Sequence, residues 1–345
     1  VKYKTNLLDT FFYWINERQR IYVAKEIDKK PWPWTKDKIL KTYKFTNVFR
    51  QLDFVTRQWE KRFVNLLGRG KKMSDGDLLF HCSMFRLFNW PATYDALYYG
   101  IAGWHKKAAM RLLTERMNAG DQIFTGAYII PNAGREDPKI QVICEALDYL
   151  RQHRDQFAAD IRRHRSIEEA CLVLQDVPTI GGFISYEIAC DLRFTRLLAD
   201  ATDINSWANP GPGAQRGINR LLTGGRWVKG KKPDYVAVMR DLLGKAARRV
   251  NQKFLKKVEW PFEMREIEHS LCEFDKYVRV KNGEGRPRSK YISRQRCKIC
   301  ERYLNDSRDL LSREWEGQDC LQCAADAGDI DAKKEVAALK RRKKK

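Results

Sequence analysis

The stretch from Ser166 to Gly217 constrains the fold more than any other part of this chain. Its pattern predicts a helix, a sharp turn, a second helix and then a glycine-proline turn. Ser166 followed by Glu169 is a capping-box start. Ile167, Ala170, Cys171 and Leu174 then fall on one helical face. In Val177-Pro178-Thr179-Ile180-Gly181-Gly182 a proline and two permissive glycines let the chain reverse. Ile184, Ile188 and Leu192 form the inner face of the second helix. Such a hairpin aims backbone N–H groups at one spot beside the positive end of a helix, which suits a phosphate. The plainer alternative is a helix corner with a Pro-Gly turn.

Charge says whose phosphate. Lysine and arginine number 66 against 44 acidic residues, a net charge of +22. That balance points to nucleic acid or another anionic surface as partner. The length of 345 residues suits one large domain or two. No apolar run is long enough to span a bilayer, and no signal-peptide pattern opens the chain. The expectation is an intracellular protein without a membrane partner, in the host cytoplasm if phage-encoded or the nucleus if eukaryotic. The reading is overwhelmingly helical, with strand-like alternation scarce.

The cysteines divide into two groups. Cys82, Cys144, Cys171, Cys190 and Cys272 are scattered, mostly within helical apolar patterns, and read as buried free thiols. Cys297-x-x-Cys300 and Cys320-x-x-Cys323, nineteen residues apart, read as two knuckles gripping one structural zinc with no open position. The approach to them is basic and aperiodic. It carries Arg286, Arg288 and Lys290 as candidate phosphate contacts. Residues 340–345 are all Lys or Arg. Both segments would add salt-sensitive, sequence-independent affinity for DNA or RNA.

Several further residues are candidates for a site, each with a plainer structural reading beside it. Arg18 lies on the apolar stripe of Phe11, Trp14, Ile15 and Tyr22, so it needs a carboxylate or a bound phosphate. Phe45, Phe49, Leu52 and Thr56 point inward, while Asn47, Arg50 and Phe54 run along an adjacent stripe beside Asp53. Gly211-Pro212-Gly213 precedes a helix, and with Arg216 its backbone amides could meet an anion or simply form a connection. His269, Cys272, Glu273 and Lys276 share a stripe that is either a catalytic wall or a solvated face.

Taken together, these blocks carry a resemblance. Val177-Pro178-Thr179-Ile180-Gly181 resembles the helix-hairpin-helix of base-excision DNA glycosylases, with Thr179 departing from their usual first glycine. The wider set resembles the alpha-glutamyl/putrescinyl thymine pyrophosphorylase family over about residues 6 to 290. It includes Phe11-Phe12 to Arg18, Pro33-Trp34-Thr35, Tyr43 to Arg50 with Asp53, Arg86-Leu87-Phe88-Asn89, and Thr125 to Tyr128. It continues with Tyr186 and Asp191, Gly211 to Ala214, and Glu268-His269 through Tyr277.

The resemblance implies a mainly α protein. Its helix-hairpin-helix, DNA-glycosylase-like domain would span 1–283, with the hairpin near 177–185. After it the residues themselves predict a basic linker (284–296), a four-cysteine zinc module (297–326) and a basic tail (327–345), the last two outside the resemblance. The resemblance further implies a transferase on double-stranded DNA carrying modified thymine, which replaces pyrophosphate on 5-pyrophosphoryloxymethyluracil with an amine donor, an amino acid or putrescine. An upstream DNA base kinase would supply that substrate. The base would be flipped out of the stack. Asp191 is the expected proton acceptor, Glu273 the second choice, and Lys276 stands on the same wall. Arg18, Asn47, Arg50, Arg216 and the backbone of Gly211 and Gly213 would meet the departing pyrophosphate. Thr179, Gly181 and Gly182 would hold the DNA backbone. Phe183 occupies the position of the lysine nucleophile of bifunctional glycosylases, which argues against lyase chemistry. Two alternatives stay open: a monofunctional glycosylase using Asp200 or Asp203, and a non-catalytic DNA-binding protein. No Walker-type G-x-x-x-x-G-K-[ST] occurs in the sequence.

Overall fold

The computed structural model describes the chain apart from residues 69–72, 101–102, 126–133, 259, 286, 288–289, 291–313, 316–318, 327–329 and 343–345. It also describes only the backbone at 63–68, 99, 257–258, 314–315, 319–321, 323–324 and 338–342. The chain is mainly helical. In order, the helices are α1 (Thr5–Tyr22), α2 (Lys38–Thr42), α3 (Phe54–Gly68), α4 (Asp75–Phe88), α5 (Pro91–Gly100), α6 (Lys106–Asn118), α7 (Lys139–His164), α8 (Ile167–Gln175), α9 (Gly182–Leu192), α10 (Pro212–Thr223), α11 (Tyr235–Arg249), α12 (Gln252–Val258), α13 (Met264–Lys281), α14 (Leu321–Asp326) and α15 (Ile330–Arg342). A short antiparallel ribbon pairs β1 (Glu314–Trp315) with β2 (Asp319–Cys320). Contacts group the chain into two units, Val1–Gln19 with Thr46–Asp275, and Arg20–Phe45 with Lys276–Lys345.

The first unit is built on α4, which packs along α7 and α9. Ser74 starts α4, its hydroxyl accepting from the Asp77 amide, and Asn89 ends it in a left-handed cap. Between these caps nearly every side chain is buried, including Arg86. Gly76 lets α4 approach α7, since a Cβ there would sit 2.1 Å from Asp155 Oδ1.

The hairpin of α8 and α9 follows the sequence pattern closely. Ile167, Ala170, Cys171 and Leu174 are buried, as are Ile184, Ile188 and Leu192. Ser166 Oγ accepts from the Glu169 amide. Asp203 strengthens this cap, accepting from Ser166 Oγ and from the amides of Ile167 and Glu168. In the turn, Thr179 has φ 72°, the left-handed conformation in which glycine is at ease. The Asn209 amide donates to the Gly182 carbonyl at 2.7 Å, tying the turn to the segment before α10.

Helix α10 meets α13 at very close range. A Cβ on Gly213 would lie 2.3 Å from Cys272 Sγ, and one on Gly217 2.3 Å from the Leu271 carbonyl oxygen. These two glycines, one turn apart, are the groove into which α13 settles.

In the second unit, Asp37 caps α2, accepting from the amides of Ile39 and Leu40. Thr35 supports it by accepting from the Asp37 amide. Tyr277 donates to the other Asp37 oxygen at 2.7 Å. Lys41 lies over Trp32 and Lys25 over Trp34. Cys297 and Cys300, and the side chains of Cys320 and Cys323, fall outside the described residues, as do Arg286 and Arg288. Lys290 is described: it is exposed, and its backbone bridges to Tyr43.

The glycine geometry predicts opposite effects for one substitution. Gly217→Ala should cost about 2–4 kcal/mol, because the added methyl meets rigid backbone. Gly244→Ala, inside α11 where nothing lies within 4 Å, should stabilise by roughly 0.5–1 kcal/mol. Urea denaturation of the two variants measures both signs.

Candidate functional site

One carboxylate organises the interior of the first unit. Asp191 projects from α9 and is fully buried. Arg86 from α4 grips it with two bonds, Nε to Oδ2 at 2.7 Å and Nη2 to Oδ1 at 2.7 Å. Arg50, in the 3-10 turn Arg50–Leu52, reaches the same Oδ1 from Nη2 at 3.1 Å. One turn earlier on α9, Glu187 receives Arg50 Nη2 at 3.0 Å and lies 3.5 Å from Arg86 Nη1. Burial alone would raise the Glu187 carboxyl, but Arg50 and then Arg86 outweigh it and hold it down at about 2.

The loop before this turn is knitted by polar contacts. Arg18 donates to the Thr46 carbonyl and to Asn47 Oδ1 at 2.7 Å. The Asn47 side-chain amide donates to the Leu52 carbonyl and to Asp53. Glu273 accepts from the Thr46 amide.

Facing this loop, α13 presents two half-buried groups, Glu268 and His269. His269 Nε2 makes no hydrogen bond among the described residues, and Asp53 Oδ2 lies 3.8 Å away. Burial pushes the Asp53 carboxyl above the usual range, opposed first by His269 and then by the Asn47 amide. Glu268 sits at the Gly211 amide, at the start of α10. Burial, then the charge on Glu187, raises it to about 8 against the pull of that amide and of Arg50. The site is therefore a half-buried cluster of Asp53, Glu187, Glu268 and His269, backed by a fully buried arginine–carboxylate core.

This arrangement sorts the residues expected from sequence. Arg18, Asn47 and Arg50 do converge, but on the protein's own carbonyls and carboxylates. Asp191 has both oxygens taken up by arginines and touches no solvent. Arg216 pairs with Asp275 at 2.8 Å, as does the buried Arg220 at 2.7 Å, instead of turning to the amides before α10. Gly211 meets Glu268, and Gly213 serves close packing. Lys276 lies over the Phe45 ring. Of the residues weighed for a glycosylase, Asp203 caps α8 and Asp200 pairs with Arg165 at 2.8 Å. Glu187 went unnoticed in the sequence, though its i,i+4 spacing from Asp191 marks a shared face. Arg86 was visible only as part of a shared block.

Residues 5–286 match the family described as 5-hmdU DNA kinase, helical domain, and the chain belongs to this family. A 5-hmdU DNA kinase of Bacillus phage SP10 is 32% identical over 236 residues, which is 63% of this chain and 36% of that protein. The chain thus spans little more than a third of that relative's length. No solved structure matches. The family overturns the expected exchange of pyrophosphate for an amine, since its name is that of a kinase. The amine donor falls with that reaction. The geometry agrees, because the base assigned to activate the amine, Asp191, is sealed between two guanidinium groups.

No helix of the described residues is long and apolar enough to cross a membrane. Among the described residues, no group of three or more His, Cys, Asp or Glu side chains is arranged to hold a metal ion.

Two variants separate the core from the cluster. Asp191→Asn should cost about 3–5 kcal/mol, because Arg50 and Arg86 then lack their shared charge; thermal unfolding reads this directly. Glu268→Gln tests the titration. Its folded value of about 8 exceeds the ordinary 4.5, so the folded chain holds a proton that the unfolded chain releases. Its stabilising contribution is complete in acid and is lost as pH rises through about 8. The variant should therefore gain stability relative to the parent between pH 5 and pH 9 in denaturant titrations.

Proposed function

We propose that this chain holds DNA containing 5-hydroxymethyl-2′-deoxyuridine and presents the hydroxymethyl oxygen for phosphorylation, as the helical part of a 5-hmdU DNA kinase. The observation that carries this reading is the family match over residues 5–286. The half-buried cluster gives it chemistry. A hydroxyl that attacks phosphorus must give up a proton, and a carboxylate at hydrogen-bond distance is the usual acceptor. Asp53 Oδ2 lies 3.8 Å from His269 Nε2, which has no hydrogen-bond partner among the described residues and can bond to a hydroxymethyl oxygen; Glu187 and Glu268 belong to the same cluster.

The hairpin supplies the DNA contact. Thr179, Gly181 and Gly182 lead into the uncapped N-terminus of α9, whose first amides suit a backbone phosphate. The same helix carries Glu187 and Asp191, so a phosphate held at its start fixes the nucleotide's distance from the cluster. The target base is flipped to reach it. The basic segment 284–296 and tail 327–345 add affinity without sequence preference. Zinc at Cys297, Cys300, Cys320 and Cys323 belongs to this reading, supported by the paired Cys-x-x-Cys spacing.

The phosphoryl donor binds outside residues 5–286 in this proposal. One segment inside that range comes near a P-loop in spacing, Gly225 to Lys231. It differs in two ways: Lys232 stands where a P-loop has Ser or Thr, and a helix, α10, precedes it in place of a strand.

Fluorescence anisotropy with duplexes differing by one 5-hydroxymethyluracil for thymine tests the proposal. The modified duplex should bind about tenfold more tightly, the worth of one well-made hydrogen bond. His269→Ala should abolish the preference while leaving the salt dependence unchanged. Equal affinity of the native chain for both duplexes would overturn the reading.

A further inference from the structure

The loop between α10 and α11 is the most conspicuous feature that the candidate site leaves unused. Trp227 is 74% exposed, the most exposed large apolar side chain among the described residues. Around it, Arg226, Lys229, Lys231 and Lys232 supply four positive charges, and no acid lies between Gly224 and Pro233.

The loop is held at its base. Gly224 ends α10 at φ 88°, its amide donating to the Arg220 carbonyl at 2.8 Å. The Asn219 side-chain amide donates to the Arg226 carbonyl at 3.0 Å, one residue before the tryptophan. Thr223 Oγ1 accepts from the Gly225 amide, and Tyr235 donates to Asn219 Oδ1. Asp234, beyond the loop, is committed to capping α11. The indole is thus presented on a braced support. Arg226 Nε, although buried, finds no acceptor among the described residues.

An exposed indole is unfavourable in water, and lysines are depleted from protein–protein interfaces. Four cations within seven residues instead suit a polyanion whose apolar parts are flat. A nucleic-acid strand has both features: phosphates for the cations and a π-face for the indole. We infer that the 224–232 loop is a second DNA-contact element, in which Trp227 stacks on a base exposed by opening of the duplex while Arg226, Lys231 and Lys232 bind the flanking phosphates.

This inference rests on the DNA-binding reading above, and its test separates the two. A duplex carries 5-hydroxymethyluracil with 2-aminopurine beside it, and both anisotropy and 2-aminopurine fluorescence are followed. The native chain should bind and raise the fluorescence as the neighbouring base unstacks. Trp227→Ala should weaken binding about tenfold, the scale of one aromatic–base stack, and remove most of the fluorescence rise. Trp227→Phe should keep the larger part of both. The double variant Lys231→Ala, Lys232→Ala should lower the slope of log affinity against log salt by about two. An unchanged melting temperature checks that each variant is folded.

If Trp227→Ala binds and reports like the native chain, the stacking role is overturned and the function proposed above stands. If the native chain fails to bind DNA at all, both readings fall. If the tryptophan responds to magnesium-ATP and not to DNA, the loop is a nucleotide site and the inference is wrong.

Discussion

The Arg50–Asp191–Arg86 clamp is the interaction on which the rest of the first unit depends. Two guanidinium groups, from α4 and from the turn before α3, converge on one carboxylate of α9. Taking three charges out of water is costly, and only near-complete hydrogen bonding offsets the cost. Arg86 contributes two bonds of 2.7 Å to Asp191 and a third to Asn89 Oδ1 at 2.9 Å. Such a cluster tolerates one geometry. It fixes the rotation of α9, and through α9 it fixes both the direction of Glu187 and the place of the turn at Thr179.

The clamp also sets the acidities around it. Glu187 shares Arg50 and Arg86 with Asp191, so it stays ionised far into acid. That permanent negative charge, added to burial, keeps the Glu268 proton in place up to about pH 8. Neighbouring carboxyls with separated acidities can give and accept protons at the same pH. Within the proposed function, a protonated Glu268 can donate to a base carbonyl, and an ionised carboxylate nearby can accept the hydroxyl proton. The arginines act on this chemistry through the carboxylates and have no need to touch the DNA.

The helices were legible in the sequence because their signals are local. Ser166 with Glu169, the apolar face Ile167 to Leu174 and the Pro178–Gly182 turn each announce themselves within a few residues, and the structure has them all. Thr179 takes a left-handed backbone in that turn, a conformation that favours glycine. Partner choice was not legible, because it joins distant segments. Arg50 and Asp191 are 141 residues apart, and Arg216 meets Asp275 across 59. Gly213 looked like part of an anion cradle, yet its lack of a side chain is needed for α13 to pass. The activity failed to follow for a related reason: a helical scaffold and its buried core say how a domain folds, whereas chemistry lies in the few groups left accessible.

The division of labour between the two cations follows the same logic. Arg50, Arg86, Arg220 and Arg265 are buried, and no lysine is buried among the described residues. A guanidinium bonds a carboxylate through a planar fork and is weakly hydrated, so it survives in the interior; an ammonium does not. The buried arginines are matched by Asp191, Glu187, Asp275 and Glu266, and contribute little outward field. The net charge of +22 must then be expressed by the surface, at sites such as Lys229, Lys231, Lys232 and Lys290, all exposed. An internal lattice of arginines fixes the cluster, and a separate, hydrated set of lysines carries the outward charge that, in the proposed function, meets the DNA. Salt can weaken the second without disturbing the first, because exposed charges are screened over about 10 Å at moderate ionic strength while buried pairs are screened much less.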